Sequence, residues 1–284
     1  MYKRQFQTTA EVYERSTNAP IIGFLPLAER ASAAQLQVLI DSGRLDGRTV
    51  ALNAAPDTIE IAEGMRDILV EAGVDVVSIT NFESPSSDQL AIDNEMDINV
   101  EVWREAGADT IIPVPGVSVP VIGALGRTGW DGLLVITDSP GTDVGLLDGF
   151  GYSPDPLVGS IAVITPDEAD LYDAGQAGVR ECVDRFEDAF ADDAAVELRP
   201  EDPTTGVLGL VVRSCQGLEL FRAVAELAGA DLTNESFDAA ADEIGSFTVT
   251  GVLAGSLGPG KRDYVDAAGA LYEFDEEQGR FVLS

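Results

Sequence analysis

Whatever chemistry this chain performs, it performs without histidine, since none occurs among its 284 residues. Ser-His-Asp and Cys-His catalysis and histidine-containing zinc sites are thereby excluded. Neither GxSxG nor GxxxxGK(S/T) is present. Two glycine-rich stretches, GALGRTG (123–129) and GSLGPG (255–260), follow no strand at dinucleotide-binding spacing and read as turns. Paired carboxylates are plentiful, but with 50 acidic residues such pairs arise by chance. What remains is binding chemistry, with no cofactor or metal implied. Three short stretches suit it: Asp57 with Thr58; Gly116, Val117 and Ser118; and Thr137, Asp138 and Ser139. The first opens a helix, whose free N–H groups suit an anion such as a carboxylate. In the second, Gly116 permits close approach of the backbone. In the third, Asp138 suits a cap on the turn that follows it.

These stretches matter because of what precedes each one. TVALNA (49–54) is a buried-strand run, and Asp57-Thr58 then suits the N-cap of a helix carrying Ile61, Met65, Ile68 and Leu69, which Gly73 stops. DVVSIT (75–80) is the next strand, completing a βαβ unit. A helix ending at Ala106 leads to strand TIIPV (110–114), helix VPVIGALGRTG (119–129) and strand LLVITD (133–138). VGSIAVIT (158–165) follows a Gly-, Pro- and Asp-rich connection. Upstream, an apolar run from Ala19 leads into a helix with Leu36, Val38, Leu39 and Ile40. Alternating strands and helices predict an α/β fold with a parallel sheet covered on both faces. In such sheets ligands bind beyond the carboxyl ends of the strands, where the three stretches fall. From Pro166 the texture changes to two long amphipathic helices, 167–190 and 207–229, separated by a polar stretch at 191–206. ALYEF (270–274) and RFVLS (280–284), joined by DEEQG, read as a hairpin.

Composition narrows the partners. Fifty Asp and Glu against 17 Lys and Arg leave a net charge of -33, and Lys3 and Lys261 are the only lysines. Such a chain is repelled by phosphate backbones and anionic lipid surfaces, so nucleic acid is excluded as a partner. The acids are dispersed rather than blocked, which reads as a hydrated surface suited to salty medium, where self-repulsion is screened. A hydrophobic content of 45% is enough for a full core and for two lobes. No apolar run is long enough to span a bilayer.

Four segments in order, 44–77, 103–138, 225–247 and 255–282, resemble the type I periplasmic-binding-protein family. More narrowly, they resemble the branched-chain amino-acid (leucine/isoleucine/valine-like) substrate-binding proteins of ABC importers. The succession AGADLT, helix, GPGKRD and LYEFD is the most specific part. The resemblance implies two α/β lobes with a small-molecule ligand clamped between them, no enzymatic step, and a membrane permease as partner. It divides the chain into 1–45, a remnant of lobe 1 and a crossover; 46–165, lobe 2; 166–250, helices returning to lobe 1; and 251–284, a third crossover and the hairpin. On this plan lobe 1 is incomplete. MYKRQ is expected to be the translation of a sequencing adapter on a metagenomic fragment, which implies an extracytoplasmic protein whose signal peptide has been lost. The third loop is where the family's amino-acid binders place an acid against the ligand's ammonium group. The resemblance therefore assigns Asp138 that role, with Ser139 beside it. No aromatic stands in the first or second loop, so polar amino acids, urea or small amides fit as well as leucine. In an exported protein Cys182 and Cys215 are expected to form one disulfide, the alternative being two buried thiols. A sensor domain of the same fold, or an α/β enzyme using carboxylates alone, are the rival functions.

Overall fold

A computed structural model describes residues 22–23, 27–85, 87–165, 168–190, 208–252, 255–266 and 269–284. The chain forms two compact units. One, the helical unit, comprises Met1–Leu27 and Pro166–Ala267; the other, the sheet unit, comprises Ala28–Thr165 and Ala268–Ser284.

The sheet unit begins with α1 (Ala28–Asp41), followed by β1 (Thr49–Ala54), a 3-10 turn (Pro56–Thr58), α2 (Ile59–Glu71) and β2 (Asp75–Asn81). Next come α3 (Gln89–Glu105), β3 (Thr110–Pro113), α4 (Ser118–Thr128) and β4 (Leu133–Ile136). Two short helices, α5 (Ser139–Thr142) and α6 (Val144–Gly149), and a second 3-10 turn (Asp155–Leu157) occupy the connection to β5 (Ile161–Ile164). The helical unit contains α7 (Glu168–Asp173), α8 (Ala177–Ala189), α9 (Leu208–Ala228), α10 (Asn234–Glu243) and the two-residue strands β6 (Gly245–Ser246) and β7 (Ser256–Leu257). The chain then returns to the sheet unit as β8 (Ala270–Asp275) and β9 (Arg280–Leu283). Residues 28–45, grouped above with the first segment, thus stand in the sheet unit. The last segment is shared between the two units.

The sheet has the order β2-β1-β3-β4-β5-β8-β9. Its first five strands are parallel, and β8 and β9 are antiparallel additions at one side. Central strands buried on both faces need continuous apolar runs, which TIIP, LLVI and IAVI provide. Helix α2 packs on α1, and α3 packs on α4. Right-handed crossovers from β1 outward to β2, then back past β1 to β3, place these two pairs on opposite faces. Leu36, Leu39, Leu52, Met65, Met96, Trp103, Ile111, Ile112, Val135 and Val163 belong to one continuous core.

Three local expectations are corrected. The stretch 123–129, read both as a turn and as the end of a helix from 119, is helical: it forms the second half of α4 as far as Thr128, and the turn comes only at Gly129, in the left-handed conformation. Within that helix a Cβ at Gly123 would lie 2.7 Å from the Tyr152 ring, so the glycine serves close packing. The span 167–190 holds two helices, α7 and α8, broken at Gly175, whose φ is +75°. Thr58 stands at the N-cap of α2, but its hydroxyl makes no bond to that helix. GSLGPG does turn, through Gly258 and Lys261, and the DEEQG hairpin turn joins β8 to β9. The polar stretch 191–206 lies outside the described residues.

In the helical unit, a disulfide between Cys182 and Cys215 joins α8 to α9, with Cα atoms 6.3 Å apart. Val179, Val183, Leu208 and Val212 pack beside it. A second core gathers Leu220, Val224, Ala240, Ala241, Val249, Tyr264 and Val265. Arg262 ties the tail to α10 through Asp238 and Asp242. Tyr264 is fully buried, and its hydroxyl donates to the Phe247 carbonyl. Burial, with Asp266 nearby, pushes its phenol up to about 12. No helix among the described residues is long and apolar enough to cross a membrane.

Candidate functional site

The strand order reverses between β1 and β3: from β1 the chain moves outward to β2, and β3 then begins the run in the other direction. At such a switch point the helices that follow neighbouring strands leave on opposite faces, and a crevice opens beyond the strands' carboxyl ends. All three candidate stretches lie at this end of the sheet unit. Asn53 at the end of β1 pairs with Pro113 at the end of β3, and the Asn53 carbonyl accepts the Val114 N–H.

The loop after β1 is closed on itself. The Thr58 hydroxyl accepts the Ala55 N–H at 2.9 Å and donates to the Ala55 carbonyl at 3.2 Å. Asp57, between them, is exposed. The loop after β3 turns at Gly116, which is exposed and has a φ of +94°, a conformation that favours glycine. Val117 and Ser118, which open α4, are buried.

The loop after β4 is tied to the loop after β3. The Thr137 hydroxyl donates to the Pro113 carbonyl at 3.0 Å. Asp138 is only 8% exposed. One of its oxygens accepts the Gly141 N–H at 3.0 Å, capping α5, and the other accepts the Gly116 N–H across the gap between the loops. Burial pushes the Asp138 carboxyl above the usual range, against the Gly116 and Gly141 N–H groups that favour its charged form. Ser139 stays exposed beside it. The fold therefore brings Gly116, Val117, Ser118, Thr137, Asp138 and Ser139 into one cluster. Asp57 and Thr58 lie at the end of the neighbouring strand.

Two polar anchors were not anticipated from the sequence. Gln35, buried on α1, donates through Nε2 to the carbonyls of Thr137 and Val163, each at 2.8 Å, and so braces the ends of β4 and β5. Asn53 donates to the Thr80 hydroxyl at 3.0 Å, which also receives the Trp103 indole N–H at 2.8 Å. The available signal was a polar residue inside an apolar run: Gln35 beside Leu36, and Asn53 within TVALNA. At the opposite end of the sheet a depression of about 500 Å³ is lined by Arg48, Arg104, Asp109, Trp130, Asp131 and Val158. No group of three or more Cys, Asp or Glu side chains is placed to hold a metal among the described residues.

No family model and no curated protein matches this sequence. Solved structures do. One is an ABC-transporter substrate-binding protein from Desulfitobacterium hafniense in complex with Leu. It is 13% identical, with a TM-score of 0.60, and the match covers 98% of this chain and 71% of that one. A solute-binding protein of an ABC transporter from Rhodopseudomonas palustris, in complex with 4-hydroxybenzoate, is 14% identical with a TM-score of 0.63 over 98% and 68% of the two chains. A substrate-binding periplasmic protein from Ralstonia solanacearum is 12% identical with a TM-score of 0.62 over 98% and 71%. These neighbours are solute-binding proteins rather than enzymes, and the fold of this chain is theirs: that of the substrate-binding proteins of ABC transporters.

Proposed function

We propose that this chain is the solute-binding component of an ABC importer, which works outside the cytoplasm, captures a small molecule and presents it to a membrane permease. One observation carries the reading. The reading is supported by the fold shared with ABC substrate-binding proteins and by exposed Asp57, Gly116 and Ser139 in the loops that follow the strands' carboxyl ends, beside the switch point of the sheet. Thr58, Val117, Ser118, Thr137 and Asp138 stand in the same loops and are less exposed. The absence of histidine and of the nucleophile motifs accords with a protein that binds without turnover.

The ligand is a small organic acid, with amino acids within that class. The two bound molecules named for the neighbours, leucine and 4-hydroxybenzoate, share a carboxylate on an apolar body. A small amide is the competing chemistry, because no aromatic residue lines the first two loops. Thermal unfolding of the whole chain in high salt, with leucine, benzoate, 4-hydroxybenzoate and acetamide each in excess, tests this. A ligand at about a hundred times its Kd adds about 2.7 kcal/mol of stability, so a saturable rise in Tm with a carboxylate is expected. A rise with acetamide alone would move the ligand class, and no rise with any of the four would count against the solute-binding reading.

A further inference from the structure

We propose that Asp138 is a positioning residue that clamps two loops of the site together, so that the site recognises its ligand without using this acid as a counter-ion. The proposal deepens the solute-binding reading and rests on it for the ligand. A carboxylate that receives a ligand's ammonium group needs at least one oxygen facing the ligand. Here each oxygen already accepts a backbone N–H, one from Gly141 within its own turn and the other from Gly116 on the neighbouring loop, and the side chain is buried.

The same two loops are joined again by the Thr137 hydroxyl on the Pro113 carbonyl, and Gln35 holds the Thr137 carbonyl from below. Three side chains, two from the end of β4 and one from α1, thus turn the loops after β3 and β4 into a single shelf. Its exposed donor is the Ser139 hydroxyl, since the N–H of exposed Gly116 is already taken by Asp138. A solute laid on this shelf meets the Ser139 hydroxyl, which donates to a carboxylate or a hydroxyl whether or not an amino group is attached. Small carboxylates with and without an ammonium group are therefore the predicted ligand class of this shelf.

The test compares leucine with 4-methylpentanoate, which differs only in lacking the amino group, by calorimetry on the whole chain. Wild type is measured beside Asp138→Asn, with amide hydrogen exchange at Gly116 and Gly141 followed in both. Asparagine keeps the size of the side chain but replaces one acceptor oxygen with a donor, so it cannot hold both N–H groups. The expected result is an equal loss for the two ligands, about tenfold, with faster exchange at both glycines. A loss confined to leucine, with the glycine amides still protected, would overturn the proposal. Should wild type bind neither probe, the carboxylate reading fails, and the exchange data alone then decide the clamp. Should the variant not fold, wild type decides: the amide of exposed Gly116 is expected to exchange at least about tenfold more slowly than in an unstructured chain. An unprotected Gly116 amide would refute the clamp.

Discussion

Breaking the Cys182–Cys215 bridge offers the most direct check on how the helical unit is held. The two cysteines lie 33 residues apart in sequence. In the chain-entropy account a cross-link closing a loop of this size removes freedom from the unfolded chain equivalent to about 4 kcal/mol at room temperature. That is a large share of the total, since domains are typically stable by only about 5 to 15 kcal/mol. The bridge spans α8 and α9, which pack around a small cluster of Val179, Val183, Leu208 and Val212. The assay is urea unfolding in high salt, which screens the charge of -33. It is run with and without reductant, and on a Cys182→Ser, Cys215→Ser double variant. Two probes separate the units. Both tryptophans, Trp103 and Trp130, lie in the sheet unit, so indole fluorescence reports that unit, whereas far-ultraviolet dichroism also follows α8 and α9. With an m-value of about 1.5 kcal/mol per molar for a unit of this size, the helical phase should move down by about 2 M or more, and the fluorescence midpoint should hold. A dichroism midpoint unchanged by reduction would refute the loop-closure reasoning. Equal shifts in both probes would refute the independence of the two cores.

Other perturbations test the packing and electrostatics of the sheet unit. Gly123→Ala in α4 should destabilise the protein by about 1 to 3 kcal/mol, because the added methyl runs into the Tyr152 ring. The matched change Gly64→Ala in α2, where the methyl meets open space, should stabilise by about 1 kcal/mol in the same unfolding assay. Trp103→Phe removes the indole N–H from the Thr80 hydroxyl inside the core and should cost about 2 kcal/mol, read as a lower unfolding midpoint. Glu95 is held below the usual glutamate value by the Ser84 hydroxyl and the Glu83 N–H. Its contribution is therefore fully present above the unfolded value and is lost as the pH falls through the lowered folded one. Stability measured against pH should separate wild type from Glu95→Gln near neutrality, and the gap should close in acid; a gap that persists in acid would contradict the assignment.

Much of the sheet unit was legible in the linear sequence, because its signals are local. Apolar runs of four to six residues place β1, β3, β4 and β5, and the apolar spacing of Ile61, Met65 and Leu69 places α2. The stretches that end these strands could be named as loops for the same reason. What a glycine is for was not legible. Gly123 fits the helical pattern of 119–129, but that pattern gives no sign that the Tyr152 ring, about 30 residues further on, packs where its Cβ would stand. Gly175, inside an unbroken amphipathic pattern, separates two helices. Asp138 shows the division most clearly. The sequence by itself determined that an acid stands at the end of a buried strand, before a turn it can cap. Only the tertiary structure decided that its second oxygen is taken by Gly116, on a loop 22 residues earlier, and that Gln35, from a helix before the first strand, braces the same strand end. Hydrophobic pattern and turn chemistry act through near neighbours along the chain. A carboxylate's partners are set by which strand ends the crossovers bring side by side.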